Sequence, residues 1–471
     1  MNADVAVIGA GISGLSYAHR ARKAGRSVVV LESGNRAGGV IRTHREDGFL
    51  VECGPNSVRM TDELEELIAD LGLDGELVKG DPRAARYVYR DGRLMKAPMG
   101  PASLVTSPVL SVRGKLRVLA EPFVRAPRDA SEPTIAEFIT RRFGREVHDI
   151  LVSAFVSGIY AGDTTKLSAA AVFPKLVELE RERGGVVRGG IAELRAKRRA
   201  ARVAAANGES APARRKRRPL TIVSFADGLD RLPFRIAESL GDALRLDTPV
   251  ERIERIDGGF ALVLPGERMT VRDLVVATPA QSAGTLLRDH SDRLADLLDG
   301  IEYPSLVSVS VAYRKEDVRH DCSGFGFLAP RTAGLRILGG IFPSGIFAGR
   351  APEGWHAFTC FIGGATDPDA FGLDDDDLVD LVADDLASTV GASGPPRVLQ
   401  VVRWPRAIPQ YTIGHVERVA EIERECDRLG LGVLGNYLHG VSVGDCVKSA
   451  FAAAAKSGGD ASEGPVNSSP V

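Results

Sequence analysis

The chain is poor in the residues that would cross-link it or bind metal. Its five cysteines (Cys53, Cys322, Cys360, Cys426, Cys446) are odd in number, scattered over 471 residues and without a CxxC pair. That excludes a disulfide framework or a zinc site and points to buried thiols in a reducing compartment. The eight histidines (His19, His44, His148, His290, His320, His356, His415, His439) show no ligand spacing, so no metal is expected. No Ser-His-Asp or Cys-His arrangement stands out. There is no uncharged apolar run of about eighteen residues, so no spanning helix is expected. The first apolar run begins almost at Met1, so no leader is expected. A net charge of −2 gives no global reason to expect nucleic acid. What remains is a globular composition, 44% hydrophobic and 26% charged, on a chain too long for one core.

What is present is concentrated at the start. Val5-Ala6-Val7-Ile8 reads as a buried strand, and Gly9-Ala10-Gly11-Ile12-Ser13-Gly14 follows it. A helical stretch to about Ala24 and a second strand from Ser27 to Leu31 complete a βαβ unit ending on Glu32. Gly9 permits the tight turn, Gly11 the approach of a pyrophosphate, and Gly14 close helix–strand packing. The phosphates belong on the helix N-terminus. Glu32, eighteen residues after Gly14, is placed to accept ribose hydroxyls. Ser33 adjoins it, and Arg36-Ala37-Gly38-Gly39-Val40-Ile41-Arg42-Thr43 then adds two adjacent glycines. They let the backbone run past something flat and bulky, which FAD requires and NAD does not. The expected cofactor is FAD.

Helical periodicity marks Asp62 to Leu71, Ile135 to Phe143, Val147 to Val156 and Phe173 to Arg183. Arg86 to Leu94 reads as a hairpin with Asp91-Gly92 at its turn. Arg195 to Arg218 carries ten Lys/Arg and one acid, either a solvated helix end with a loop or a surface for anionic lipid. From Val307 to Gly364 strands dominate, predicting a large antiparallel sheet, and Asp374 to Leu386 reads as an acidic helix. The expected fold class is mixed α/β and α+β. A discontinuous Rossmann-type FAD-binding domain takes 1–94, 219–300 and 412–457. A helical insert takes 95–218 and a substrate-binding sheet domain 301–411. Residues 458–471 are expected to form a disordered tail.

The order of further motifs resembles a known family. These are Gly54-Pro55-Asn56-Ser57, Gly158-Ile159-Tyr160-Ala161-Gly162-Asp163, Ala277-Thr278-Pro279-Ala280, Trp404-Pro405-Arg406-Ala407-Ile408-Pro409-Gln410-Tyr411, and Gly435-Asn436-Tyr437 through Gly444-Asp445-Cys446. With the opening glycines they look like FAD-dependent porphyrinogen oxidases of the flavin amine oxidase superfamily, most similar to the oxygen-dependent protoporphyrinogen-oxidising group. The resemblance spans nearly the whole chain and is weakest over 195–218 and the tail. It implies cofactor contacts at Gly9, Gly11, Ile12, Ser13, Gly14, Glu32, Ser33, Arg36, Gly38, Gly39, Val40, Gly54, Pro55, Asn56, Ser57, Val250, Ala277, Trp404, Gly435, Val443, Gly444 and Asp445. It implies a substrate wall of Asn56, Phe325, Gly326, Leu328, Ile341 and Phe361. Each has a plainer reading too: Asn56 in an Asx turn, Trp404 as a core aromatic, Asp445 as the N-cap of a helix from Val447, and the wall residues as strand core. Two positions depart from the pattern. Pro98-Met99-Gly100-Pro101-Ala102 lacks an arginine that some relatives use for a substrate propionate, leaving Arg93 or Lys96 as substitutes. Gly444 stands where Asn or Pro is common.

The implied reaction is oxidation of protoporphyrinogen IX to protoporphyrin IX, with oxygen reduced to hydrogen peroxide. The flavin accepts hydride at N5, and no side-chain acid or base is expected to be essential. The nearest alternative is coproporphyrinogen III on the same scaffold. An amine oxidase, a carotenoid desaturase or a non-catalytic flavin-binding protein are more remote. The helical insert corresponds to the family's membrane-binding part, so peripheral contact with anionic lipid at the inner face of the cell membrane is expected, alongside a cytoplasmic fraction. A homodimer is implied by resemblance alone.

Overall fold

The computed structural model describes residues 2–127, 131–206 and 221–457. The tail expected over 458–471 and residues 207–218 of the basic stretch lie outside the described residues, while 195–206 of that stretch belong to helix Val186–Ala206.

Val5 to Ile8 and Val28 to Leu31 are buried throughout, as a central parallel sheet demands. Strand Ala3–Ile8 is flanked in parallel by Val28–Leu31 and by Glu267–Val276, and Leu244–Arg245 extends the sheet beyond Val28–Leu31. Gly259–Leu264 and Arg252–Ile256 continue it antiparallel, while Gly432–Val433 pairs in parallel with the end of Glu267–Val276. Helices cover both faces. Ile12–Lys23, Asp62–Asp70, Arg231–Leu240 and the closing helix Val443–Ser457 pack on one face. Ala280–Leu287, Asp292–Asp299 and His415–Leu429 pack on the other. This is a mixed Rossmann-like sheet built from segments at both ends and in the middle of the chain.

The second seven-stranded sheet runs Arg397–Trp404, Leu306–Arg314, Trp355–Gly363, Ile337–Ile341, Gly326–Leu328, Arg86–Arg90, Arg93–Lys96. It is antiparallel except where Gly326–Leu328 pairs in parallel with Arg86–Arg90. The hairpin therefore belongs by its hydrogen bonds to this sheet, where the sequence had assigned residues up to 94 to the nucleotide segments. Asp91 and Gly92 both take positive φ (52° and 75°), closing a tight turn that leaves the other edge of Arg86–Arg90 free to pair. One face of the sheet buries Val307, Val309, Val311, Phe358, Cys360 and Ile362 beneath the acidic helix Asp375–Thr389. The mixed fold of Rossmann-like and antiparallel sheets is the one the sequence implied.

Helices fill Pro101–Thr106 to Val186–Ala206. Thr134 and Glu137 form a reciprocal capping box that starts Ile135–Phe143. The helix expected over Val147 to Val156 is instead a π-helical stretch, His148–Val152, running into Ser153–Tyr160. Among the described residues no helix is long and apolar enough to cross a membrane.

Candidate active site

The glycine loop makes a cradle rather than an ordinary turn. Gly9 has φ of +105°, and a Cβ there would lie 2.7 Å from the Ala277 carbonyl oxygen. A Cβ on Gly14 would overlap the Gly9 carbonyl oxygen, so helix Ile12–Lys23 sits directly on the strand. Gly11 faces open space, with nothing within 4 Å of an added Cβ. Gly11 is also the N-cap; it offers no capping side chain, and the first turn, with Ile12 and Ser13, holds no acid. The leading N–H groups and the helix dipole are thus left to an anion.

Around this loop the other segments converge. Glu32 accepts hydrogen bonds from Ala10 N (2.8 Å) and Gly34 N (2.9 Å), so its carboxylate stands across the mouth of the loop beside the exposed Ser33. Thr248 N donates to Glu32 O, which brings half-buried Val250 to the same end. Gly38 N donates to Ala10 O at 2.8 Å, and a Cβ on Gly39 would come within 3.3 Å of Gly11 Cα. Arg36 donates to the carbonyls of Ala37, Gly39 and Ile41, tying the double-glycine loop from inside. Burial, followed by the like charge of Arg42, lowers the Arg36 pKa. Val40 stays half exposed beyond the loop, and Gly54 packs on its carbonyl so closely that no Cβ fits.

Pro55, Asn56 and Ser57 follow, all half-buried. Asn56 Nδ2 donates to Gly54 O (3.1 Å), while its buried Oδ1 has no partner. A buried acceptor without a donor needs one from something bound there. Trp404 Nε1 donates to Cys53 O (3.1 Å), so this aromatic buttresses the same segment. On the far side, helix Val443–Ser457 begins earlier than expected. Ser442 caps it, accepting from Asp445 N (3.1 Å) and donating to Asp445 Oδ2 (2.5 Å). Asp445 is therefore an internal partner of the cap rather than the N-cap, because Ser442 takes that place three residues earlier. Gly444 packs against Thr61 and Arg59 O, close to the Asn56 segment, and Gly435 lies against the Tyr437 ring. The open Gly11, the uncapped helix start and the orphaned Asn56 Oδ1 fit FAD.

Glu52 lies beneath this site. It accepts from Thr43 Oγ1 (2.7 Å) and Leu229 N (2.9 Å), and burial pushes its pKa up to about 7.

The second sheet turns its other face toward this segment, and its register sorts the expected wall residues. Arg86, Gly326, Ile341, Thr359, Ser310 and Gln400 lie in one cross-strand row. Val88, Leu328, Gly339, Phe361, Ser308 and Val402 form the next row on the same face. Cys53 Sγ lies 3.2 Å from Gln400 Oε1 at one end of the first row. Arg86 stands at the other end, five strand spacings or roughly 24 Å away. Phe325, just before its strand, has the Arg86 guanidinium 5.2 Å from its ring centroid. Helix Ser153–Tyr160 covers the rows, and Gly158 sits so close to Leu328 that a side chain there would overlap it. Phe361 packs with Ala161, Leu306, Leu338, Ala407 and Ile408.

Arg86 is the residue that sequence reasoning missed. It is half-buried, burial alone lowers its pKa, and no carboxylate among the described residues pairs with it; its near polar neighbour is Met99 Sδ at 3.9 Å. Lys96 pairs with Tyr87 and so points to the opposite face. Arg93 is exposed opposite Arg90, at the hairpin's turn end. Strand alternation counted from Gly326 would have singled out Arg86, had the parallel pairing been foreseen.

Fold and loop geometry together define a FAD-dependent oxidoreductase. A family model described as flavin containing amine oxidoreductase matches residues 12–456. The chloroplastic protoporphyrinogen oxidase of Oryza sativa subsp. japonica is 35% identical over 481 residues, covering 97% of this chain and 88% of that protein. The coproporphyrinogen III oxidase of Bacillus subtilis (strain 168) is 26% identical over 468 residues, covering 95% and 96%. Among solved structures, reduced UDP-galactopyranose mutase shares the fold at a TM-score of 0.72 and 16% identity, covering 98% of this chain and 96% of that one. The chain belongs to the flavin containing amine oxidoreductase family, among its porphyrinogen oxidases.

Proposed function

We propose that the chain oxidises protoporphyrinogen IX to protoporphyrin IX with FAD and molecular oxygen, releasing hydrogen peroxide. The observation that carries this reading is the pair of cross-strand rows: an apolar wall of Leu328, Ile341 and Phe361, with one unpaired, half-buried arginine at its far end. A flat macrocycle lying on that wall would reach Arg86 with a propionate edge while its opposite edge approaches the Asn56 segment. FAD supplies a two-electron acceptor there, so removal of six hydrogens takes three rounds with reoxidation by oxygen between them. The rows themselves carry no carboxylate, histidine or lysine. The chain's own contribution is to orient the ring, exclude water and hold the propionate. Protoporphyrinogen carries two propionates and coproporphyrinogen four, so a single cation on the rows favours the former.

The test is porphyrin fluorescence from freshly reduced protoporphyrinogen IX and coproporphyrinogen III in parallel, in air, with autoxidation subtracted. Faster turnover of the first is expected; preference for the second would transfer the enzyme to the four-propionate substrate.

A lipid surface is part of the same proposal. Val112, Leu116 and Leu119 form an exposed apolar stripe on Val112–Leu119, continued by Phe123 at 81% exposure. That helix has no acid, and Arg113 and Arg125 flank the stripe in solvent. Glu146 fixes the helix by accepting from Ser111 N and Arg90 Nη1. Such a rigid, basic-edged stripe suits peripheral docking on an anionic bilayer, from which a poorly soluble substrate would arrive.

A further inference from the structure

The segment from Trp404 to His415 touches both halves of the site, yet the reading above gives most of it no task. Gln410 is buried and donates through Nε2 to Tyr160 O (2.8 Å), the end of the helix that covers the substrate rows. Its neighbour Tyr411 is 3% exposed and turns the other way. The Tyr411 hydroxyl donates to Asn436 O (2.6 Å) and accepts from Gly440 N (2.9 Å). These two backbone groups bracket the loop that runs from strand Gly432–Val433 to Ser442, the cap of the closing helix. No other hydrogen bond described for the Gly440 N–H exists, so the phenol is what satisfies it.

The tyrosine is held in place. Its ring stacks on His415 (centroids 4.1 Å apart, 12° between planes) and meets Tyr160 edge-on at 5.9 Å. Ser168 N donates to its carbonyl at 2.8 Å. Burial lowers the His415 pKa to about 4, so the ring beneath it is neutral, and burial raises the Tyr411 pKa well above 10, so its hydroxyl keeps the proton it donates. Gly440 takes φ of +140°, with Asp445 packed against its Cα, so a shift of this loop moves Asp445 and the first turn of the closing helix together.

We infer that Tyr411 is a positioning residue: its hydroxyl clamps the Asn436–Gly440 loop and so sets where the N-terminus of helix Val443–Ser457 stands relative to the flavin. This rests on the reading that FAD lies between the Asn56 segment and that helix start. A helix N-terminus is a fixed partial positive charge, so its distance from a ring that gains electron density on reduction shifts the balance between the two redox states. Losing the clamp displaces that charge without removing any group that touches the ring.

The experiment needs no porphyrinogen, so its outcome is independent of the substrate proposal. In FAD-loaded wild-type protein, hydrogen exchange at the Gly440 amide should be about tenfold slower than in the FAD-stripped protein, because a clamp that favours cofactor is favoured by it. Tyr411→Phe keeps the stack and removes the hydroxyl. It should speed Gly440 exchange about tenfold, the worth of one satisfied buried hydrogen bond. It should also move the reduction equilibrium of bound FAD, read against a reference dye, severalfold toward the oxidised form. As a control, Tyr160→Phe, which keeps the ring that meets Tyr411, should leave both the clamp and that equilibrium as in wild type. Equal Gly440 exchange with and without FAD would overturn the inference in the unmodified protein, even if the variant failed to fold. A variant that melts earlier but keeps the wild-type reduction equilibrium would overturn it too, by reducing Tyr411 to a packing role.

Discussion

The two seven-stranded sheets use the same number of strands to make different kinds of site. In the Rossmann-like sheet both faces are buried under helices, and the site lies beyond the strand ends, where glycines remove side chains so that backbone can meet a ligand. In the second sheet one face is buried under the acidic helix; the other, where the substrate wall is proposed, buries Ser308, Ser310 and Thr359 and leaves Leu328, Ile341 and Phe361 half-buried. At Gly9, Gly14 and Gly54 the first tolerates no added atom. In the second, Gly326 and Gly339 are equally closed, but the neighbouring row positions carry side chains. The cofactor loop thus meets its ligand through backbone, whereas the proposed substrate wall would select through side chains.

The sharpest way to break this contrast is at Gly14. Gly14→Val forces a side chain into the Gly9 carbonyl oxygen and Val7, and overpacking of about 3 kcal/mol corresponds to about 100-fold weaker FAD binding. Purified variant should lack flavin absorbance; full FAD loading would refute the cradle.

On the other sheet, Arg86→Ala should raise KM for the porphyrinogen by about 10- to 100-fold, the loss of one charged hydrogen bond, with kcat less affected. A kcat loss at constant KM would mean that Arg86 serves the reaction step instead of holding a propionate.

Between the sheets stands Glu52, on the strand leading to Gly54. Its carboxyl titrates near 7 when folded against an ordinary 4.5, because burial outweighs the bonds from Thr43 and Leu229 and the charge of Arg350, while Asp230 opposes ionisation. The folded state then binds more protons than the unfolded chain between those values, so stability falls as pH rises from about 4.5 to about 7. Glu52→Gln removes that slope: its melting temperature should exceed wild type at pH 8 and match it near pH 5. His415 gives the opposite slope over pH 6.5 to 4, so wild-type protein shows only the difference.

The smallest effect is expected from Arg93→Ala and Lys96→Ala, below about twofold in kcat/KM, because one is exposed at a turn and the other points to the opposite face.

The same contrast governs what the sequence made legible. Gly9 to Gly14, Glu32 and the Gly38–Gly39 pair announce their geometry through residue type, since few other residues fit such backbones. Helix Ile135–Phe143 was readable because its periodicity and capping box are local. The parallel pairing of Arg86–Arg90 with Gly326–Leu328 was not, because it joins residues some 240 positions apart and leaves no local mark. Without that pairing Arg86 and Arg93 are equivalent on paper. The start of the closing helix was misplaced for a smaller reason: Ser442 and Asp445 can each cap, and their mutual hydrogen bond decides which one does.

Strand Gly432–Val433 completes the parallel sheet, and helix Val443–Ser457 packs along helix Ile12–Lys23. The opening βαβ unit therefore waits for residues more than 400 positions further along the chain. On the ribosome, the nucleotide loop is made well before the segment that completes it, and its apolar face must be shielded while some 400 intervening residues emerge. Flavin capture becomes a late event in the life of the chain, so a truncation before residue 432 would leave an unloadable fragment exposed to proteolysis.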